Sequence, residues 1–438
     1  MEDISFRTRR PSSGEAPFGL HELFYSRTDE RGVIQSGNDV FQRVAALDWD
    51  RLVGAPHRII RHRDTPRGLF YLMWQRIKQG QPVGVYIKNS TADGLYYWVF
   101  ATVTPIEDGY LSVRIKPSSP VFDQVRADYA AVHAAEESGF SPEAGAAMLL
   151  DRLARRGFDS YEAFMAHAAA KEVAARDAGL GQPRDEALVN MCRIENRLGL
   201  IDREIAALLD DLATVYQGPA SLRIAAARLE PGGGPITAAS HDHCAQAAGI
   251  LDRLQAVFSD GRSLTATWQK LLHTAIFLHC TARIQDEAVV QCDGVEAAPG
   301  KFNPDIEVAW LAIQKLAYRE KASKSLAAVI RAGRRLPAID ADLRALVSGL
   351  SSVRTTCRAE HARLRGEGDG IAPIADHLDA FLVDADARLN RITRHAEALK
   401  APIVSLDRRQ PDAPRWSHFG RPEAVDESRD GRTRTSRR

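Results

Sequence analysis

Arg61, His62 and Asp64 place a guanidinium, an imidazole and a carboxylate within four positions, and two aromatic rings follow at Phe70 and Trp74, one helical turn apart. A guanidinium and an imidazole can together grip a phosphate or diphosphate. Two rings one turn apart can flank a flat heterocycle. The plain alternative is a solvated ion-pair network beside two core aromatics, because charge clusters usually face water. Two further groups, His241/His243/Cys244 and His273/His279/Cys280, raise metal ligation. His241 and His243 point apart on a helix, and no second ligand pair follows at zinc spacing. Core or surface histidines are the better reading, and no metal is expected. There is no P-loop, no G-x-S-x-G elbow, no GGDEF-like or EAL-like motif, and no ATP-binding sequel to a phosphoacceptor histidine. No catalytic residue is predicted; the chain is expected to act through conformation, not turnover.

The bulk properties narrow the class further. Lys+Arg (58) nearly balances Asp+Glu (57), so a net charge of +1 gives no field to draw in nucleic acid or an anionic membrane. The first residues, MEDISFRTRRPSSGEAPFG, carry no apolar core behind their basic groups and do not read as a secretory leader. No stretch approaches the ~18 apolar residues a membrane helix needs. The expectation is a soluble cytoplasmic protein without membrane insertion. Cys192, Cys244, Cys280, Cys292 and Cys357 form no CxxC pair and suit reduced, mostly buried thiols.

The elements that must position these residues change along the chain. Residues 1–19 read as a polar, disordered tail. Strand-like runs fall at Leu23–Ser26, Gly32–Gln35, Val83–Lys88, Tyr96–Thr104 and Tyr110–Lys116, with Asp93-Gly94 and Asp108-Gly109 as turn signals between the last three. Short helices lie between the second and third strands, the longest from Pro66 to near Gly80. In the fourth strand Leu95, Tyr97, Val99, Ala101 and Val103 alternate with Tyr96, Trp98 and Phe100, so neither face is suited to water. One face can line a cavity, and a helix, a partner or the rest of the chain must cover the other. After residue 118 strand signals stop. Residues 119–182 read as a helical linker, and 183–402 as a helical bundle or coiled coil. Its stripes are Ile201, Ile205, Leu208, Leu212, Val215 and Leu378, Leu382, Ala385, Leu389, Ile392, Ala396, Leu399. Residues 264–292 and 305–332 carry less regular stripes. Breaks are expected at Gly218-Pro219, Glu230–Pro235, Ala298–Pro304 and Gly366–Pro373, and 403–438 is an Arg-rich disordered tail.

Three blocks within 20–118 resemble the PAS domain of bacterial aerotaxis receptors. They are Phe24-Tyr25-Ser26-Arg27-Thr28-Asp29 running through Gly32-Val33-Ile34 to Asn38 and Phe41; Leu52 to Pro66 with Phe70 and Trp74; and Lys88-Asn89 with Asp93-Gly94, Tyr97-Trp98-Val99 and Ser112-Val113-Arg114. The second, G-x-P-H-x-x-x-R-H-x-D-x-P followed by F-x-x-x-W, is the specific one. The resemblance implies an α+β PAS fold, a five-stranded antiparallel sheet with short helices, holding FAD without a covalent bond. It assigns Arg61, His62, Asp64 and Trp74 to flavin binding, and Asn38, Phe70 and Asn89 to the pocket lining; Trp98 joins this set. Arg61 and His62 would meet the diphosphate, Trp74 and Phe70 the ring, and the two asparagines its polar edge. Arg63 and Thr65 stand where the family has Pro and Met, and Ser90 where it has Arg.

Residues 222–236 are loosely similar to the hairpin tip of chemoreceptor signalling domains, with an Ala-Ala-Arg step before a Gly-rich reversal. That implies docking to a chemotaxis kinase and its coupling protein; a plain helix corner is the alternative. The reading that follows is a redox, oxygen or energy sensor in which FAD in the PAS cavity alters a helical output region, as a homodimer paired through the two stripes. The alternative is a cofactor-free PAS scaffold, and an enzyme in the helical region is a third class.

Overall fold

The computed structural model describes residues 11, 13–229, 234, 235, 237, 238, 264–292, 303–363 and 372–408. Strands β1 (Phe24–Thr28), β2 (Ile34–Gly37), β3 (Val83–Ser90), β4 (Tyr96–Ile106) and β5 (Gly109–Ile115) form an antiparallel sheet in the order β2-β1-β5-β4-β3. Helices α1 (Asp39–Ala45), α2 (Trp49–Leu52) and α3 (Arg67–Ile77), with a 3-10 turn at His57–Ile60, cross between β2 and β3. This is the PAS arrangement, and a long helical region follows it.

Turn chemistry fixes the meander. Ile106 pairs with Gly109 across Glu107-Asp108. Gly109 has φ +145°, and a Cβ there would lie 2.0 Å from the Thr28 carbonyl of the neighbouring strand, so only glycine closes this hairpin against β1. The Thr91–Leu95 connection between β3 and β4 is tied by Thr91, whose N–H donates to the Leu95 carbonyl at 2.9 Å and whose hydroxyl accepts from the Leu95 N–H at 2.8 Å.

Successive side chains point to opposite faces of a strand. The face carrying Tyr25, Tyr86, Trp98 and Phe100 is covered by the chain's own helices. Trp98 packs edge-on against Phe122 of α4 (Val121–Glu137), with ring centroids 5.2 Å apart. Gly84 abuts Phe277 of α8 (Leu264–Cys292): a Cβ there would lie 2.8 Å from the Phe277 ring. Glu172 of α6 (Tyr161–Gly179) has no exposed surface and accepts from the Tyr86 hydroxyl, the Ser118 and Ser119 N–H groups and the Ser119 hydroxyl at 2.6 to 3.1 Å. α5 (Pro142–Arg155), capped by Ser141, packs on α3 from the other side.

The remaining helices are α7 (Glu186–Leu229), α9 (Pro304–Gly333), α10 (Leu336–Arg363), α11 (Ala372–Ala398) and α12 (Lys400–Arg408). The stripes expected to pair two copies meet each other within one chain. Ile201, Ile205, Leu208 and Leu212 of α7 are buried, as are Leu378, Ala385, Leu389 and Ile392 of α11, and Arg391 forks onto Glu204 at 2.8 and 3.0 Å between the two helices. The side chain of Val215 lies outside the described residues.

The structure also departs from sequence expectation at three points. Residues 13–19 are strapped to the sheet: Ala16 N–H donates to the Tyr96 carbonyl at 2.7 Å, and Phe18 is buried edge-on to Phe24. A short apolar alternation suffices where a strand edge offers free carbonyls. The α7 backbone stays helical through Gly218-Pro219, because proline removes only one ladder bond and long flanking turns outweigh its cost of ~3 kcal/mol. Finally, α12 continues past residue 403, burying Leu406 and bringing Ser405 to Asn190 at 3.2 Å. The turn of the 222–236 hairpin and His241, His243 and Cys244 lie outside the described residues.

Replacing Glu172 by Leu is expected to destabilise the protein by about 3 kcal/mol or more, since it orphans buried donors on Tyr86 and Ser119. Urea unfolding of the two proteins measures this, and a loss under about 1 kcal/mol contradicts the account.

Candidate functional site

The other face of the sheet, closed by α3 and the segment leading into it, encloses a cavity of about 310 Å³. β1 supplies Ser26 and Thr28, β3 Ile87 and Asn89, β4 Val103, and β5 Tyr110, Ser112 and Arg114. Phe70, Met73, Trp74 and Ile77 come from α3 at helical spacing, so one face of that helix becomes a wall. Arg31, Gly32, Pro56, His57, Arg58 and Arg61 complete the lining. Gly32 has φ +77°, and a Cβ there would sit 3.1 Å from the Trp74 ring, so this turn lets the indole lie against the backbone.

Of the residues singled out from sequence, Arg61, Phe70, Trp74 and Asn89 line this cavity, and the fold brings them together. The Arg61 guanidinium lies 3.9 Å over the Phe70 ring. Trp74 stands edge-on to Tyr110 at 5.4 Å. Asn89 is buried, and its Nδ2 has no hydrogen-bond partner among the described residues.

Asn38, His62, Asp64 and Trp98 do not line it. Asn38 caps α1: its Oδ1 accepts from the N–H groups of Tyr25 and Phe41 at 3.0 and 3.2 Å, and its Nδ2 donates to the Leu23 carbonyl at 2.8 Å. Those bonds occupy both lone pairs of the oxygen and one of the two amide N–H donors, and they turn the side chain to its own backbone rather than to the cavity. His62 and Asp64 strap the Arg61 segment to edge strand β3. Lys88 Nζ donates to Asp64 Oδ2 at 2.7 Å, the Thr65 hydroxyl to the Lys88 carbonyl at 2.8 Å, and the Asp64 N–H to His62 Nδ1 at 3.1 Å. Partial burial and the Lys88 charge push the His62 pKa down, which suits an imidazole that accepts at Nδ1. Partial burial of Asp64 is outweighed by Lys88 and His62, which hold its carboxyl below the usual range. The two residues thus hold Arg61 in place. Trp98 lies on the opposite face, against α4. His273 bonds Glu195 at 2.9 Å and His279 bonds Asp185 at 2.7 Å; among the described residues no cluster suited to a metal ion occurs.

The most unusual group of the site, Arg114, is not among the residues that the sequence singled out. Arg114 is 3% exposed and has no carboxylate partner among the described residues. Its Nη2 donates to the Ser26 hydroxyl at 2.6 Å and lies 2.7 Å from His57 Nε2, while its Nη1 has no partner among the described residues. The Ser112 hydroxyl beside it is likewise unpartnered. Burial lowers the Arg114 pKa to about 10, which leaves it charged near neutrality. His57 is stacked on Phe41 at 5.9 Å, and burial with the Arg114 charge pushes its pKa down to about 3. A neutral His57 therefore accepts from Arg114 at Nε2. The signal for Arg114 was its place: Tyr110, Ser112 and Arg114 alternate with the buried Leu111, Val113 and Ile115.

No protein-family model matches the chain. It is 33% identical over 127 residues to the aerotaxis receptor of Escherichia coli, covering 28% of this chain and 25% of the receptor. It is 29% identical over 108 residues to the bacterioopsin transcriptional activator of Halobacterium salinarum, covering 24% and 16% of the two chains. It is 32% identical over 81 residues to the nitrogen fixation regulatory protein of Klebsiella pneumoniae, covering 18% and 16%. The chain spans a quarter or less of the length of each of these relatives. A receptor and two regulators, matched by a chain with this sheet and these helices, support a PAS-type signal-transduction sensor. No helix among the described residues is long and apolar enough to cross a membrane.

Between pH 6.5 and about 3 the unfolded chain binds a proton on His57 that the folded chain refuses. The His57 contribution to stability is complete above pH 6.5 and is lost as the pH falls through that window. Exchanging His57 for Gln is expected to flatten the stability profile below about pH 6.5 by up to ~1.4 kcal/mol per pH unit. Urea midpoints taken from about pH 7 to about pH 5 read this, and an unchanged slope contradicts a neutral, buried ring.

Proposed function

We propose that this chain is a sensor whose PAS cavity holds FAD and whose helical region relays the redox, oxygen or energy state that the flavin reports. One observation carries the reading: three buried polar groups on the wall of one cavity, Asn89 Nδ2, Ser112 Oγ and Arg114 Nη1, have no hydrogen-bond partner among the described residues. Unpartnered buried donors are costly, so a ligand rich in acceptors is the natural complement. The aromatic walls at Trp74 and Phe70 call for that ligand to be flat. An oxidised isoalloxazine offers carbonyl and ring-nitrogen acceptors on one edge and flat faces elsewhere, and the residues present fit it. The cavity volume suits the ring system alone, so the nucleotide end would leave through the mouth, where Arg61 and Arg58 supply cations for a diphosphate.

A bound flavin supplies an electron-accepting ring. The chain binds and orients it. Arg114 holds fixed positive charge against the ring edge and so favours whichever state of the occupant is more negative there. His57, neutral at physiological pH, keeps the guanidinium aimed without adding charge. Phe70 and Arg61 close the mouth and limit the entry of water. The relatives that match this chain are a receptor and two regulators, which supports an output by conformation and not by turnover. A second copy and a chemotaxis kinase are the partners that follow from this reading, to be sought by sedimentation and by pull-down.

The purified chain, loaded with FAD, is expected to be yellow and to bleach on anaerobic reduction with dithionite. The R61Q variant is expected to bind FAD about tenfold or more weakly while riboflavin, which lacks phosphate, binds as before. Quenching of flavin fluorescence measures both. A chain that takes up no added FAD sinks the flavin reading, and equal losses for both ligands contradict the role given to Arg61.

A further inference from the structure

Strand β1 has a different partner on each face. Ser26 points into the cavity and receives the Arg114 Nη2 hydrogen bond at 2.6 Å. Tyr25 and Arg27, on either side of it, point the other way and converge on one carboxylate. The Tyr25 hydroxyl donates to Glu307, and Arg27 forks onto it through Nε and Nη2 at 2.9 to 3.3 Å. Glu307 is 2% exposed and sits in the first turn of α9, capped by Asn303. The same strand end is held by α8, where Gln291 accepts from the Leu23 N–H at 3.1 Å and donates to the His21 carbonyl at 2.6 Å.

A buried carboxylate is tolerated only where its donors fully compensate it. Glu307 therefore depends on the register and depth of β1. On the cavity side, Arg114 fixes that strand through Ser26. A sheet is stiff across its thickness, so a shift of the Ser26 backbone moves its two neighbours with it.

We propose that Glu307 is the positioning residue that couples the cavity to the helical region, by clamping β1 from the far side of the sheet. Engagement of Arg114 by a ligand steadies β1 and so steadies the first turns of α9; disturbance of the Arg114–Ser26 link loosens them. The coupling is reciprocal, so loss of the Glu307 clamp also weakens the cavity. Only the ligand part of this inference rests on the flavin reading.

Hydrogen exchange of the full chain tests it with two variants. R114M removes the cavity-side cation and keeps the bulk of the side chain. It is expected to speed amide exchange about tenfold at 24–28 and also at 308–315 of α9, which it does not touch. E307Q keeps the shape and removes the charge, and is expected to speed exchange at 24–28 and at 112–115 on the cavity side by a similar factor. Added FAD is expected to slow exchange at 24–28 and 308–315 in the wild type, and at 24–28 alone in E307Q. Changes in R114M that stop at the sheet overturn the coupling, as do changes in E307Q confined to α9. Absence of any FAD effect in the wild type counts against the flavin reading, and the R114M arm still decides the coupling.

Discussion

A guanidinium buried without a carboxylate is the constraint around which the amino-terminal unit is arranged. Taking such a charge out of water is expensive unless hydrogen bonds replace the lost solvation. Arg114 finds the Ser26 hydroxyl and the neutral imidazole of His57, and one nitrogen is left over. His57 can play its part only because Phe41 and the 3-10 turn hold its ring flat and dry. Phe41 in turn is placed by the Asn38 cap of α1. The short helices are therefore the frame that makes a carboxylate-free cation tolerable at the base of a cavity.

The same sheet serves two environments. Alternation gives its inner face a mixture of polar and apolar groups and its outer face to aromatics and buried acids. Glu172 and Glu307 answer donors from the strands, while α4, α6, α8 and α9 bring the apolar cover. Sensor and helical region are consequently not beads on a string. The carboxylates that seal the outer face are supplied by helices that begin far along the chain, and they meet the buried hydroxyls of Tyr25 and Tyr86.

Much of this was legible in the residues. The five strands follow from β-branched and aromatic runs bounded by glycine turns, and the doubly apolar β4 announced that both faces would be covered. The wall of α3 was visible in the spacing of Phe70 and Trp74. Other features could not be read locally. His62 and Asp64 carry the charges expected of ligand contacts, but the path of the chain along the edge of β3 turns them toward Lys88. Ser112 and Arg114 alternate with apolar residues, as solvated positions do, and only closure by α3 buries them. Glu307 gives no signal at all, because its partners on β1 lie 280 and 282 positions away. The two heptad-like stripes were correct as stripes, yet spacing alone says nothing about whether the partner helix belongs to the same chain or to another.

On the proposed reading, the Arg114 guanidinium donates to an acceptor on the flavin ring. Thermal unfolding of the wild-type chain and of R114M across a range of FAD concentrations tests it directly, because a ligand that binds only the folded state raises the midpoint with concentration. The midpoint is expected to climb steadily with FAD in the wild type and far less in R114M. A wild-type midpoint indifferent to FAD, or one that rises equally in both proteins, would contradict it.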